Sequence, residues 1–294
     1  MDGANRIEVR ANGIDFVAYE RGEGPLLLCL HGFPDHPRSF RHQIGVLAGA
    51  GFRVVVPYMR GYAPTSAPAD GVYQSAVLAR DVVALIEALG AERATVFGHD
   101  WGALAAYGAA LKAPERIERL ITAAVPYGPA FLARFAMDYA QLKRSWYIFF
   151  FQTPTAEMAV AADDYRFIRN LWVDWSPGWE FPEEEMDALR ETFSRPGVLE
   201  AALGYYRCML DPARQAPELA SEQAMLGVAP IEVPCLYLHG RIDGCLGVDL
   251  VGDMSESFPA GLRTEIIEGA GHFVHQEKPD EVNRLLLDYL GRSA

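Results

Sequence analysis

Short apolar runs alternate with helically spaced ones through both ends of this chain. Residues 7–11 and 16–19 flank Asn12-Gly13, a dipeptide that favours the two-residue turn of a β-hairpin. Residues 26–30, 53–57, 94–97 and 120–125 follow as continuous apolar runs, the pattern of strands buried on both faces in a parallel sheet. Between them Val77, Leu78, Val82, Leu85, Ile86 and Leu89 recur at helical spacing and stop at Gly90. Late in the chain 235–238 and 264–267 supply two more strands. A last amphipathic helix runs from about Asp280 through Val282, Leu285, Leu286 and Tyr289. The order predicts an α/β fold with a doubly wound, mostly parallel sheet.

Between these halves the pattern changes to helix-like sequence rich in aromatics, among them Trp146, Tyr147, Phe149, Phe150, Phe151, Trp172, Trp175 and Trp179. So long a stretch is not a plain loop, and it reads as an inserted helical cap. The expected division is 1–127 for the first part of the core, 128–229 for the cap and 230–294 for the second part of the core. A chain of 294 residues, 50% hydrophobic, buries a core of that size. Its net charge of -13 argues against nucleic acid and anionic membrane as partners, since both call for a basic surface. With no apolar segment behind the N-terminus, no membrane-length run and four scattered cysteines, the expectation is a cytoplasmic protein with reduced thiols and no bound metal.

The candidate chemistry starts at Gly98-His99-Asp100-Trp101-Gly102, between the run 94–97 and a helix-forming stretch. This is the strand-to-helix turn that exposes a nucleophile at the carboxyl edge of a sheet, with Asp where Ser is usual. A carboxylate needs no base to become a nucleophile. It suits displacement at saturated carbon, giving an alkyl ester that water then cleaves, so epoxides and carbon–halogen bonds fit it. Upstream, His31-Gly32-Phe33-Pro34-Asp35 follows the first buried strand. There the backbone N–H groups of Phe33 and Trp101 are expected to form an oxyanion hole for ester hydrolysis.

Ester cleavage needs a base. His272, in Gly269-Ala270-Gly271-His272-Phe273 just past the last strand, has the context to reach the elbow. His31, His36, His42, His99 and His239 read as structural, and His275 as surface or supporting. Asp243, after the preceding strand, gives the chain order nucleophile, acid, histidine; the rival site after Val125 offers only Pro126 and Tyr127.

Together HGFPD at 31–35, Arg60-Gly61-Tyr62, GHDWG at 98–102, DGC at 243–245 and GAGHF at 269–273 resemble the epoxide hydrolases of the α/β-hydrolase fold, with haloalkane dehalogenases as close relatives. The resemblance spans nearly the whole chain; GHDW is its specific part. It implies two cap tyrosines that hydrogen-bond the epoxide oxygen. Tyr147, five residues before Gln152, holds the first place, and Tyr206, before Arg207, the second; Tyr205 is the adjacent alternative. The implied reaction yields a vicinal diol from a small, apolar or aromatic epoxide and uses no cofactor. Dehalogenases hold the leaving halide with N–H donors, a part Trp101 and a cap tryptophan could play, although Phe33 stands where an Asn often does. Arg is absent after the nucleophile, against a fluoroacetate dehalogenase. A binding protein that has lost turnover would share the fold, but the complete nucleophile, base and acid set argues against it.

Overall fold

The computed structural model describes residue 1 and residues 3–292. Eight strands form one sheet: β1 (Asn5–Ala11), β2 (Ile14–Arg21), β3 (Leu26–Leu30), β4 (Arg53–Pro57), β5 (Ala94–His99), β6 (Ile117–Ala123), β7 (Cys235–Gly240) and β8 (Leu262–Ile267). Their spatial order is β1-β2-β4-β3-β5-β6-β7-β8. The hairpin β1–β2 joins antiparallel to β4, and every pairing beyond it is parallel. Asn12 and Gly13 both take positive φ, as the tight hairpin turn requires.

Helices cover both faces. The core helices are α1 (Ile44–Gly49), α2 (Ser75–Ala88), α3 (Trp101–Lys112) and, after an insertion, α11 (Val274–Glu277) and α12 (Pro279–Tyr289). Ile44 and Leu47 of α1, Val274 of α11 and Leu285 and Leu286 of α12 pack on one side with Leu27, Phe97 and Leu236 of the sheet. On the other, α2 and α3 meet Leu28, Val55, Val96 and Leu120. Successive side chains of a strand point to opposite faces, which is why the central strands are apolar throughout.

Between β6 and β7 the chain forms α4 (Pro129–Met137), α5 (Tyr139–Arg144), α6 (Trp146–Phe150), α7 (Ala156–Trp175), α8 (Glu183–Phe193), α9 (Val198–Leu210) and α10 (Ala220–Met225). Within α7 the residues Asp163, Asp164 and Tyr165 are left-handed and break the helix. Polar bonds tie this segment to the core. The Trp172 indole N–H donates to the Pro34 carbonyl at 3.0 Å, and Arg38 donates to Glu185 of α8 at 2.9 and 2.6 Å. Most of the segment's aromatics are packing, as expected; Trp146 and Phe149 are exposed. Among the described residues no helix is long and apolar enough to cross a membrane.

Candidate active site

Asp100 stands between β5 and α3 with φ 54° and ψ -118°, a conformation that costs free energy and is held by the packing on both sides. The neighbouring glycines work by size. A Cβ at Gly98 would strike the backbone of Gly102, and one at Gly102 the carbonyl of Leu30, so strand, turn and helix approach this closely only without side chains. The positive φ falls on Asp100 itself. The carboxylate is thereby pushed out above the sheet, 8% exposed.

Its two oxygens meet different partners. The Phe33 backbone N–H donates to Oδ1 at 2.7 Å. Gly32 makes this possible, because any Cβ there would collide with the carboxylate. Oδ2 lies 3.7 Å from His272 Nε2. Trp101 is the first residue of α3, so its N–H has no carbonyl within the helix to serve.

His272 is fully buried in the turn after β8. Its Nδ1 lies 2.9 Å from Asp243 Oδ2, whose other oxygen accepts the N–H groups of Cys245 at 2.7 Å and Leu246 at 2.9 Å. The carboxylate bond fixes the ring so that Nδ1 carries a proton and Nε2 faces Asp100. Burial opposes charge on this imidazole, but negative neighbours outweigh it and hold its pKa well above 6.5. Cys245 adds to this only as a thiolate, and burial keeps that thiol neutral, so Asp243 and Asp100 carry the effect.

The sequence pointed to none of the tethers that place this histidine. Its N–H is shared by the Trp175 carbonyl at 3.1 Å and Ser176 Oγ at 3.0 Å, and the Ser176 hydroxyl donates to Glu277 at 2.6 Å. Glu277 also accepts the N–H groups of Gly271 and Phe273. His99 Nε2 donates to the His272 carbonyl at 2.9 Å. His31 braces its own turn, with Nδ1 2.9 Å from the Gly32 carbonyl and Nε2 accepting the Met59 N–H at 3.0 Å; burial lowers its pKa to about 4.

Of the two places the sequence left open for His275, surface or supporting, the surface one is corrected: the ring supports His99, which in turn holds the His272 carbonyl. The His275 ring is wholly buried against Phe40 at 4.9 Å and His99 at 4.6 Å, because α11 turns inward beneath the sheet edge before α12 begins. With Asp35 and His99 it forms the one cluster among the described residues whose candidate metal-ligating atoms all lie within 4.8 Å of each other.

Tyr147 of α6 and Tyr206 of α9 face Asp100 across a cavity of about 550 Å³ that includes its open mouth. Their ring centroids are 5.6 Å apart. The Tyr206 hydroxyl is buried with no hydrogen-bond partner, and that of Tyr147 lies 3.4 Å from Cys245 Sγ. Burial, then surrounding negative charge, raises both phenols well above their ordinary pKa, so both remain O–H donors; a weak approach of the Trp101 indole N–H to the Tyr206 oxygen opposes this only in part. Tyr205 is excluded from this pair: its hydroxyl donates to the Arg60 carbonyl at 2.8 Å and its ring stacks on Tyr73. Gln152 joins the two tyrosine segments by donating to the carbonyls of Ile148 and Tyr206. Leu104, Val125, Phe131, Ile148 and Met209 supply apolar wall.

A parallel sheet with an acid-bearing elbow after β5, an acid after β7 and a histidine after β8 defines a hydrolase of the α/β class. The chain belongs to the alpha/beta hydrolase fold family, whose family model matches residues 25–279. It is 31% identical to epoxide hydrolase A of Mycobacterium tuberculosis, covering 96% of each chain. It is equally 31% identical to the AB hydrolase superfamily protein YfhM of Bacillus subtilis, covering 99% of each. Among solved structures it resembles epoxide hydrolase A of Mycobacterium thermoresistibile, with a TM-score of 0.83, 32% identity and 99% of both chains covered.

Proposed function

We propose that this chain hydrolyses epoxides to vicinal diols through an alkyl ester on Asp100. The observation that carries the reading is the pair of buried phenols, Tyr147 and Tyr206, lining one cavity with the carboxylate. A departing epoxide oxygen becomes an alkoxide, and two O–H donors in a dry pocket meet that charge. The relatives named as epoxide hydrolases support the same substrate class. Residues 128–229 act as the cap, carrying both phenols over the core, and the apolar wall favours an apolar or aromatic substituent on the epoxide.

In the first half-reaction Asp100 attacks one ring carbon, the carbon–oxygen bond breaks, and a tyrosine proton passes to the oxygen. Oδ2 is the attacking atom, because Oδ1 is held by the Phe33 N–H. Ester formation removes the charge on Asp100, and with it one of the two carboxylates that keep His272 protonated. The imidazole is then free to act as a base. In the second half-reaction His272 Nε2 takes a proton from water, whose oxygen attacks the ester carbonyl carbon. Charge collects on Oδ1, where the N–H groups of Phe33 and Trp101 receive it; the bond from the carbonyl carbon to the alkyl oxygen then breaks, His272 returns its proton to that oxygen, the proton of the new carboxylic acid passes back to the tyrosinate, and the diol leaves with Asp100 and the phenol restored.

Halide departure needs N–H donors in place of a proton. Phe33 brings no side-chain donor, and the Trp172 N–H is spent on Pro34. An epoxide panel run beside a haloalkane panel, scoring diol and free halide, tests the assignment. Diol formation without halide is expected; halide release with no diol from any epoxide overturns it.

A further inference from the structure

Cys245 has no part in the chemistry above, yet its sulfur sits within it. The residue lies two positions after Asp243, in the turn whose N–H groups hold that carboxylate, and its Sγ is 3.4 Å from the Tyr147 hydroxyl. It lines the cavity that contains Asp100, whereas Cys29, Cys208 and Cys235 are buried elsewhere and line no part of it. Two further atoms mark this space as a place where ligands are received. The Tyr206 hydroxyl, on the wall of the same cavity, and His272 Nε2 are both buried without hydrogen-bond partners. His272 is close enough for its charge to act on the thiol.

We propose that Cys245 is a covalent modification site for small, apolar, thiol-reactive electrophiles entering through the substrate cavity, and that capping its sulfur disarms Tyr147. The second clause rests on the epoxide reading; the first does not. Burial raises the pKa of the thiol, so it reacts through transfer of its proton rather than as a standing thiolate. With methyl methanethiosulfonate the S–H proton passes to His272 Nε2 in the fraction of molecules whose imidazole is neutral, a fraction that grows as pH rises through its raised pKa, and the sulfur attacks the reagent's sulfenyl sulfur. A sulfur–sulfur bond forms, the bond to the sulfonyl group breaks, and methanesulfinate leaves with the electron pair. The reagent supplies the oxidising equivalent. The methylthio group then replaces the hydrogen of the S–H beside the Tyr147 hydroxyl and fills the place where the epoxide oxygen must meet it.

The experiment treats the full-length protein with methyl methanethiosulfonate and, in parallel, with its charged sulfonatoethyl analogue, which has the same chemistry but is unsuited to an apolar pocket. Labelled peptides are mapped by mass spectrometry while ring opening is followed on the same samples. Expected are labelling of Cys245 before the other three cysteines, at least tenfold slower reaction with the charged reagent, and slower labelling in the presence of 1-phenylethane-1,2-diol. Labelling also quickens with rising pH and slows in His272→Gln. Ring opening falls at least tenfold in step with labelling and returns on reduction with dithiothreitol. Whatever rate Cys245→Val retains is insensitive to the reagent. First labelling at Cys208, or equal rates for the two reagents, overturns the site; a fully capped Cys245 with undiminished ring opening overturns the disarming. Labelling is read by mass, so a protein that labels as expected but opens no epoxide rejects the proposed function and leaves this site standing.

Discussion

Replacing Tyr206 with Phe should move stability and activity in opposite directions. The hydroxyl is buried and makes no hydrogen bond of ordinary geometry, so its removal costs the folded protein at most a weak approach of the Trp101 indole N–H and relieves a poorly satisfied polar group. Such a group left unpaired in the interior costs roughly 1–3 kcal/mol. Taking about 1 kcal/mol as the gain, Tm should rise by roughly 1.5–2 °C for a domain of this size. The ring itself packs edge-on against Phe33 at 5.2 Å and Trp101 at 5.1 Å, contacts that Phe preserves. In ring opening the same hydroxyl meets a developing alkoxide, and a hydrogen bond to a charged group is worth about 1.5–3 kcal/mol. Its loss slows alkylation by roughly ten- to 150-fold. Stopped-flow single-turnover tryptophan fluorescence isolates that step, since Trp101 directly follows the nucleophile and packs against the Tyr206 ring, and thermal unfolding gives the stability. A merely structural tyrosine behaves the other way. A lower Tm with an alkylation rate within twofold of wild type refutes the reasoning.

His272→Gln should alkylate normally in kind but stall at the ester, so intact-mass analysis after mixing with an epoxide should show one adduct, mapped to the peptide containing Asp100. Absence of an adduct from a variant whose parent turns over removes the two-step mechanism. Asp243→Asn should lower turnover by about 10³-fold or more, because Nδ1 loses its acceptor and the imidazolium its charge partner. The same change should lower the His272 pKa in an NMR titration. Because the folded pKa is raised, the stability linked to His272 in the wild type is fully present below about pH 6.5 and is lost as pH rises through the folded value, a trend that urea unfolding should show weakened in Asp243→Asn. Arg60→Ala should destabilise by about 3–5 kcal/mol at neutral pH, since Arg60 donates to buried Asp81 at 2.7 and 2.6 Å and only Asn12 is left to do so. Burial raises the Asp81 pKa, so the deficit should shrink as pH falls and the carboxylate protonates; a cost below 1 kcal/mol by urea denaturation contradicts the buried pair.

The elbow was legible because backbone contact there forbids side chains: the Gly98 and Gly102 positions are dictated by how close β5, α3 and β3 come, and such constraints show in local sequence. Strand order then put Asp243 and His272 at the right sheet edge. The β6 boundaries slipped. Sequence favours 120–125, whereas the strand spans Ile117–Ala123, since ladder pairs at Ile117 and Arg119 extend it, with Glu118 bulged out between them, and Ala124 turns out with φ 70°. Long-range partners left no sequence trace. Nothing in the run Trp175-Ser176 suggests that its carbonyl and hydroxyl hold the His272 loop, and a polar His275 gives no sign that α11 faces inward. Tyr206 and Tyr205 are told apart only by the rotation of α9, which sends one ring to the cavity and its neighbour to Arg60.

The choice of carboxylate over hydroxyl at the elbow follows through to how the two half-reactions share one set of groups. A serine offers one oxygen, which must both lose its proton and attack. Asp100 offers two, and the protein treats them differently: the β3 loop fixes Oδ1 through the Phe33 N–H, while Oδ2 looks toward His272 and the cavity. In the proposed reaction the fixed oxygen is a spectator in alkylation and the site of charge in hydrolysis, so the donor that orients the nucleophile later stabilises the tetrahedral state without moving. Proton inventory follows the same economy. In the proposed reaction the charge on Asp100 favours the acid form of His272; once the ester forms, that charge is gone, the force holding the proton weakens and the base form is favoured. On that mechanism water activation is favoured by the presence of the intermediate it must cleave.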